Sequence, residues 1–348
     1  MIKRLLKNKS FFTGAAVLMI IFFGSIFYKV VFDDHIPQPG IKIIYDNDGN
    51  IIKTPISPRL LPPLGSDSSG YSIFHILLVG AKYTIGIALI VTFLRLLVSV
   101  LAAICVSTFI PNRLKFLRNV LNSFNFFPTV FIAFFLLQWV LLHDYLEDDQ
   151  FTFSLSERLT INIVVLVIIA VPSLTVLISS EIEKVLKEDF IESAKILGAS
   201  KIRVLTKHVR PILAPQLAVI YFREFIAVML LIAHLGILEI FVGGGTPKQD
   251  LFMQTTIRSV TNEWSGLIGG WWRFIWTSYP WIAIAPIACF TIVILAAKLI
   301  VEGLEKVIYL PSSVGKIEKE NRKRIPKSDT ENAVNFVKVQ NNKIFERK

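Results

Sequence analysis

Residues 83–109 read YTIGIALIVTFLRLLVSVLAAICVSTF and contain a single charged residue, Arg95. A helix needs about 20 apolar residues to cross the roughly 30 Å of hydrocarbon in a bilayer, and this stretch is long enough. Because lipid offers no water to satisfy backbone hydrogen bonds, a single crossing segment of this length must be helical. The stretch therefore predicts a transmembrane helix.

Five further apolar stretches predict the same structure. The six predicted spans are residues 11–32, 83–109, 124–142, 161–179, 217–241 and 281–301. Soluble core helices that are apolar on every face rarely occur this often in one chain. The sequence therefore predicts an all-α, polytopic membrane protein with six transmembrane helices.

The composition excludes several other classes of protein. Of 348 residues, 53% are hydrophobic and 18% are charged, and there are only two cysteines, Cys105 and Cys289, both inside predicted spans. A disulfide scaffold and a disordered chain are ruled out, and the cysteines are expected to be packing residues. The net charge of +11 could indicate nucleic-acid binding, but the basic residues lie between apolar stretches and do not cluster on one soluble face. Their distribution therefore argues against nucleic-acid binding.

The distribution of basic residues predicts the orientation of the chain. If the N-terminus is cytoplasmic, the segments on that side hold 25 of the 37 Lys and Arg residues, and the outer segments hold seven. Cytoplasmic segments of membrane proteins carry this excess of positive charge. We therefore expect a multi-pass protein of the cytoplasmic membrane with both termini in the cytoplasm. Residues 11–32 exceed the apolar core of a signal peptide, about 7–15 residues, and predict a retained anchor.

The connection between the fourth and fifth spans, residues 181–215, is much longer than the two to eight residues usual between bundled helices. Within it, KEDFIESAKILGASKIRVLTKHVRPILAP (187–215) predicts two short helices that meet at Gly198. The expected local roles are a capping box of Asp189 and Glu192 at the first helix, a left-handed Gly198 closing it, Ser200 capping the second helix and Pro211 ending it.

The first of these short helices has a predicted apolar face. Phe190, Ile191, Ala194 and Leu197 recur at helical spacing, with Lys187 and Lys195 on the opposite side. A helix held beneath the membrane by two rigid spans is suited to transmit a displacement to those spans. On pattern alone, a loop that packs under its own bundle fits equally well.

Three segments of this loop resemble the EAA loop of permease subunits from binding-protein-dependent ABC importers: Glu192-Ser193-Ala194, Gly198-Ala199-Ser200, and residues 207–211, KHVRP. In that family the loop docks a coupling helix into a groove of the cytoplasmic ATPase. The resemblance implies that the ATPase-coupling residues are Asp189, Glu192, Ser193, Ala194, Leu197, Gly198, Ala199, Pro211 and Pro215.

Further segments are similar to the C-type subunit of the dipeptide, oligopeptide and nickel branch. Between about residues 58 and 310 they occur in collinear order: PPLGSDSSG (62–70), GAKYT (80–84), EWSGLI (263–268), YPW (279–281) and VEGL (301–304). The resemblance implies an ABC type-1 permease fold with an N-terminal anchor and extracytoplasmic segment (1–78), a permease domain (79–303) and a basic cytoplasmic tail (304–348). The implied partners are a homologous permease in a heterodimer, two ATPase subunits and an extracytoplasmic solute-binding protein.

Some positions depart from the family pattern. Ser193 replaces Ala, Arg210 replaces Leu, Tyr71-Ser72 replaces Arg-Asp, and no acidic residue occurs near Ile232. These changes leave the permease interpretation intact and leave the substrate open. A short peptide is the implied solute, and a nickel complex or another small solute is the alternative.

Motifs for chemistry are missing from the sequence. There is no GxxxxGK[ST], because GGGTPK (243–248) has the wrong spacing, so the chain is not expected to hydrolyse ATP. A nucleophile elbow, a His-Glu-x-x-His pair and paired cysteines are also lacking, and no catalytic residue, metal site or cofactor is expected. Two other classes remain open: a secondary transporter using Glu224 and Glu239 as ion sites, and a receptor or assembly scaffold.

Charged residues inside spans are expensive and usually functional, and here they define a predicted translocation pathway of Arg95, Glu224 and His234. Helical rise places Arg95 about 22 Å above the cytoplasmic end of its span and Glu224 about 13 Å above Pro215, an offset of about 9 Å. Arg95 could form a structural ion pair, line the pathway for an anionic group, or face the partner permease. His234 also fits a packing role, and Arg223 with Glu224 fits a structural one.

Overall fold

Long helices dominate the computed structural model, which describes residues 2–41, 44–45, 51–52, 54–109, 127–141, 151–249 and 255–309. The helices are α1 (Ile2–Leu6), α2 (Lys9–Phe32), α3 (Ile73–Phe109), α4 (Thr129–Leu141), α5 (Leu155–Leu186), α6 (Asp189–Ile196), α7 (Lys201–Val204), α8 (Arg210–Ile237), α9 (Trp264–Trp271) and α10 (Trp281–Tyr309). Short 3₁₀ helices lie at Pro39–Ile41 and Trp272–Trp276. Two antiparallel hairpins pair β1 (Ile44–Tyr45) with β2 (Ile51–Ile52), and β3 (Gly245–Gln249) with β4 (Thr255–Ser259).

The predicted all-α, polytopic class is confirmed. Among the described residues, five helical segments are long and apolar enough to cross a membrane: α2, α3, α5, the continuous helix Lys201–Ile237 and α10. The third predicted span, 124–142, coincides with the shorter apolar helix α4, and its two ends lie outside the described residues.

Several helices extend beyond the predicted spans. Hydrophobicity alone places the start of the second span at residue 83, but α3 begins at Ile73. Similarly, α5 begins well before residue 161, because Ser154 and Glu157 form a capping box: the Glu157 N–H donates to Ser154 Oγ, and the Ser154 N–H donates to Glu157 Oε2 at 2.8 Å. Apolar runs therefore mark the hydrocarbon-crossing part of each helix, and polar caps set its ends.

The N-terminal helix α2 packs directly on the rest of the bundle, against α10 and α3. A Cβ at Gly14 would overlap the carbonyl oxygen of Ala296, so only glycine allows this close approach of α2 to α10. At the start of α2, Asn8 caps the helix by accepting from the Ser10 N–H, and its Nδ2 donates to the Gly303 carbonyl at 3.3 Å. The anchor helix is therefore an integral part of the core.

A partly buried turn leads into α3. Asp67 Oδ1 accepts the N–H groups of Ser69 and Tyr71 at 3.0 and 2.7 Å, and Gly65 and Gly70 adopt φ of +76° and +83°. Ser66 and Asp67 are buried at this turn, whereas Pro62, Pro63 and Ser69 are exposed. The segment PPLGSDSSG thus forms a tight turn that requires glycine at two positions.

Two of the segments singled out in the sequence meet in space. Thr84 Oγ1 accepts the Trp264 N–H at 2.9 Å, and Trp264 Nε1 donates to the Leu77 carbonyl at 2.7 Å. Gly80 lies so close to the Asn262 carbonyl that a Cβ there would overlap it. GAKYT and EWSGLI therefore form one contact between α3 and α9.

Glu263 organises the connection between β4 and α9. Its fully buried carboxylate accepts the N–H groups of Ser265 and Gly266, each at 2.7 Å, and that of Val242 at 3.4 Å. Burial raises the pKa of the Glu263 carboxyl above its usual range, and these hydrogen bonds oppose the rise. The carboxylate caps α9 and ties it to the segment after α8.

The buried side chains form two clusters. The larger lies between α2, α3, α4, α5, α8, α9 and α10 and contains Phe225 and Trp264. The smaller joins the lower half of α5 to α6 and to the helix that follows, through Ile178, Ile182, Ile191, Val204, Val209 and Leu213. The second cluster fixes the position of the loop between α5 and α8.

Candidate functional site

The helix α6 is the element that the sequence assigns to coupling. Its N-cap is Glu188, in an extended conformation and without a side-chain cap hydrogen bond. The expected capping box of Asp189 and Glu192 is wrong, because Asp189 already lies inside the first turn. There the two carboxylates can still favour the helix through its dipole.

Gly198 ends this segment as predicted. Its φ is +82°, its N–H donates to the Lys195 carbonyl at 2.9 Å, and the Ala199 N–H donates to the Ala194 carbonyl at 3.0 Å. No atom lies within 4 Å of a Cβ built at this position. Glycine is therefore required here for its left-handed backbone and not for lack of space.

The predicted apolar face of α6 is divided in the structure. Ile191 is fully buried in the smaller cluster, whereas Leu197 is 88% exposed and Phe190 is also exposed. The prediction that Phe190, Ile191, Ala194 and Leu197 form a single apolar face is therefore wrong. Ile191 anchors α6 to the bundle, and an exposed apolar surface remains, here called the α6 patch: Phe190, Ile196 and Leu197.

The remaining predicted coupling residues differ in exposure. Among them, Ala194 and Ala199 are half-buried, and the side chains of Asp189, Glu192 and Ser193 are exposed. Ser193 Oγ donates to the Asp189 carbonyl at 3.0 Å, so its hydroxyl is satisfied within α6. Most of the predicted coupling set is thus available to another chain.

The helix after Gly198 is continuous, contrary to the expectation that Pro211 ends it. Ser200 caps it as predicted, with the Arg203 N–H donating to Ser200 Oγ at 3.3 Å. The helix then passes from α7 through a π turn at Leu205–Val209 into α8. Pro211 directly follows this π turn, where the regular i→i−4 bonding is already interrupted, and Pro215 lies farther along α8. Residues 201–237 thus form a single element, here called the α7–α8 rod.

Arg95 and Glu224 form an ion pair inside the bundle. Arg95 Nη1 lies 3.4 Å from Glu224 Oε2, and the side chains are 4% and 23% exposed. Arg95 Nε also donates to the Leu166 carbonyl of α5 at 2.9 Å. The crossing of the helices closes the axial offset of about 9 Å expected from their rise alone. One guanidinium therefore joins α3, α5 and the α7–α8 rod.

His234, the third predicted pathway residue, is separate from this pair. It lies ten residues beyond Glu224 on the rod, about 15 Å along the axis. Its side chain is exposed, and its Nδ1 lies 2.6 Å from the Leu230 carbonyl. The structure therefore brings together two of the three predicted pathway residues.

Arg223 has a partner that the sequence analysis missed. Its Nη2 lies 2.5 Å from Glu305 Oε1, so it pairs across to α10 and not with its neighbour Glu224. Two consecutive residues thus link the rod to different helices: Arg223 forms an ion pair with α10, and Glu224 forms one with α3. Nothing in the sequence spacing signals a pair that is separated by 82 residues.

A cavity of about 430 Å³ opens beside these ion pairs, between α5, the α7–α8 rod and α10. Its polar lining comes from Glu181, Lys184, Gln216, Arg223, Glu224 and Tyr309. Glu181 and Lys184 pair with each other at 2.6 Å. Of these residues only Arg223 and Glu224 were predicted to have a role, because the others carry no recognisable motif in the sequence.

The family described as binding-protein-dependent transport system inner membrane component matches residues 95–308, which is more than half of the chain. Among curated relatives, a protein of Brucella abortus biovar 1 (strain 9-941) and one of Brucella melitensis biotype 1 are each named as the permease protein of a peptide transport system. Each is 24% identical over 313 residues, covering 88% of this chain and 89% of the relative.

The match agrees with the architecture. The family model covers the second half of α3, the loop with α6, the α7–α8 rod and nearly all of α10. Members of this family are multi-pass permease subunits of the inner membrane that work with a separate ATPase and a solute-binding protein, and they are not themselves enzymes. The chain therefore belongs to the binding-protein-dependent transport family, as a permease subunit of an ABC importer with the type-1 fold.

Proposed function

We propose that this chain is one permease of a heterodimer that imports short peptides, powered by two ATPase subunits and supplied by an extracytoplasmic solute-binding protein. The names of the Brucella relatives support peptides as the solute class. The excess of Lys and Arg on one side supports an orientation with both termini in the cytoplasm. In this arrangement residues 1–78 are the anchor unit, 79–303 the permease domain and 304–348 the tail, most of which lies outside the described residues.

The α6 patch is the proposed contact with the ATPase. Ile196 and Leu197 are adjacent in the chain, lie outside the predicted spans and are 81% and 88% exposed, and apolar surface in such a place favours a protein partner. Ile191, by contrast, is buried and holds α6 against the bundle. A groove on the ATPase would cover the patch and bind α6 on its cytoplasmic side.

One observation carries the proposed mechanism: the α7–α8 rod runs unbroken from the end of the coupling loop to the intramembrane ion pair. Glu224 lies on this rod and contacts Arg95 of α3 at 3.4 Å. A displacement of α6 is therefore passed through the bend at Gly198 to the rod and on to α3 and α5. ATP binding would favour one of two bundle arrangements, and the difference in binding free energy between them drives the cycle.

The test is uptake by the purified complex in proteoliposomes with its native ATPase and binding protein. We expect uptake of radiolabelled di- and tripeptides that requires ATP inside the liposomes and is absent with a non-hydrolysable analogue. Uptake of a nickel complex instead of peptides would show that peptides are not the solute. Uptake that follows an ion gradient and ignores ATP would contradict the mechanism.

A further inference from the structure

The cavity between α5, the α7–α8 rod and α10 has the size and polarity of a small-molecule site. Its volume of about 430 Å³ falls within the roughly 300–1,000 Å³ of typical ligand pockets. Apolar side chains complete its lining: Leu177, Val219 and Ile220. It also lies directly beside the Arg95–Glu224 pair, because Glu224 belongs to its wall.

The charges of the wall are balanced. Two cations, Lys184 and Arg223, face two anions, Glu181 and Glu224. A ligand with a net charge would meet equal attraction and repulsion, whereas a zwitterion can satisfy both signs at once. The lining therefore favours a solute that carries one positive and one negative group.

Each charged residue keeps unused hydrogen-bonding capacity. Arg223 has five N–H donors and Glu305 occupies one of its nitrogens, so the guanidinium can still bind a carboxylate. Glu181 gives one oxygen to Lys184 and retains the other. Gln216 lines the cavity, and its Oε1 has no hydrogen-bond partner among the described residues, so this acceptor can take a donor from a ligand once its side chain turns toward the cavity.

The distance between Gln216 and Arg223 sets the length of solute that can contact both residues. Gln216 and Arg223 lie seven residues apart on the rod, about 10.5 Å along its axis. An extended chain spans about 3.3–3.6 Å per residue, so about three residues fit between them. Resting on the proposed peptide import, we propose that this cavity binds a tripeptide-sized zwitterion, with its carboxylate on Arg223 and its ammonium group between Gln216 and Glu181.

The experiment compares uptake of trialanine with its C-terminal amide in the reconstituted complex. We expect the loss of uptake on amidation to be about tenfold larger in the wild type than in Arg223→Gln, the scale of one charged hydrogen-bonded contact. The binding protein is identical in both preparations, so any loss that it causes through the amide cancels in this ratio.

Glu305→Gln is the matched control, because it removes the ion-pair partner but leaves Arg223 in the cavity. We expect it to keep the full wild-type effect of amidation. If Arg223→Gln keeps that effect, or if Glu305→Gln loses it equally, Arg223 does not bind the carboxylate and the inference is overturned.

The ammonium end of the solute gives a second readout that does not use Arg223 or Glu305. N-acetylation removes the ammonium charge, and we expect it to lower wild-type uptake more than uptake by Gln216→Leu. An equal effect in both overturns the ammonium assignment. If the wild-type complex transports no peptide at all, the proposed function fails and this inference fails with it, whereas uptake with unchanged ratios overturns the cavity assignment alone.

Discussion

Arg95 on α3 and Glu224 on the α7–α8 rod face each other inside the bundle, with Nη1 and Oε2 3.4 Å apart. Arg95 also donates to the Leu166 carbonyl, so three helices meet at one guanidinium. Breaking a buried ion pair by removing one partner leaves an uncompensated charge, which costs about 3–5 kcal/mol in soluble proteins. The pair therefore fixes how the rod sits against α3 and α5.

For this pair we predict strong coupling between two substitutions. Arg95→Leu alone should lower both membrane abundance and ATP-dependent uptake, because Glu224 is left unpaired. Arg95→Leu combined with Glu224→Leu should recover abundance but not uptake. Thermal unfolding and uptake of the single and double variants give the interaction term directly. Full uptake by Arg95→Leu at normal abundance would remove Arg95 from the mechanism.

The bend at Gly198 gives a second prediction. Gly198→Val should reduce ATP-dependent uptake at least tenfold while the protein stays inserted, because a β-branched residue resists the left-handed backbone by about 1–2 kcal/mol or more. Gly198→Asn is the control, since Asn tolerates this conformation and no atom lies within 4 Å of the new Cβ. Uptake is measured per unit of assembled complex. Equal activity of the Val and Asn variants would show that the bend is not needed.

Two adjacent glycines of α9 differ sharply in their surroundings. A Cβ at Gly269 would overlap the Gly236 carbonyl of the rod, whereas at Gly270 the nearest atom would be 3.7 Å away. Gly269→Ala should therefore destabilise the protein by about 1–3 kcal/mol, the usual effect of overpacking, and Gly270→Ala should not. Thermal unfolding in detergent compares the two. Equal midpoints would contradict the close approach of α9 to the rod.

The packing of the N-terminal helix can be tested in the same way. Gly14 touches the backbone of α10, while a Cβ at Gly24 would meet no atom within 4 Å. Gly14→Ala should lower the unfolding midpoint, and Gly24→Ala should be neutral or slightly stabilising, since Ala is favoured over Gly in a helix by up to about 1 kcal/mol. Loss of stability in neither variant would mean that α2 is only a tether.

Features that depend on local sequence were predictable. Apolar runs located the hydrocarbon-crossing part of each long helix, and Gly198 and Ser200 were assigned their turn and cap from residue type alone. Pro211 was predicted to end the helix, but it directly follows the π turn at Leu205–Val209, where the regular i→i−4 bonding is already interrupted. Asp189 was predicted as the N-cap of α6, but the helix begins one residue earlier and Glu188 is the N-cap. A residue in an extended conformation can occupy this position even without a side-chain hydrogen bond.

Features that depend on how helices cross were not predictable from spacing. The arithmetic of helical rise put Arg95 and Glu224 about 9 Å apart because it treats the helices as parallel. Arg223 was assigned to its neighbour, although Glu305 lies beside it in space. The cavity with Glu181 and Gln216 was also missed, because its wall is assembled from three helices and no single segment carries the pattern.

The central claim is that α6 receives its force from the ATPase. The direct measurement is crosslinking from Leu197→Cys, in a chain whose Cys105 and Cys289 are replaced by serine, to the ATPase in intact cells. The control is Trp276→Cys, which is 83% exposed on the segment between α9 and α10. We predict a crosslinked permease–ATPase product from position 197 that changes in yield when ATP is depleted, and none from position 276. Absence of this product from position 197, in a complex that still transports, would contradict the account.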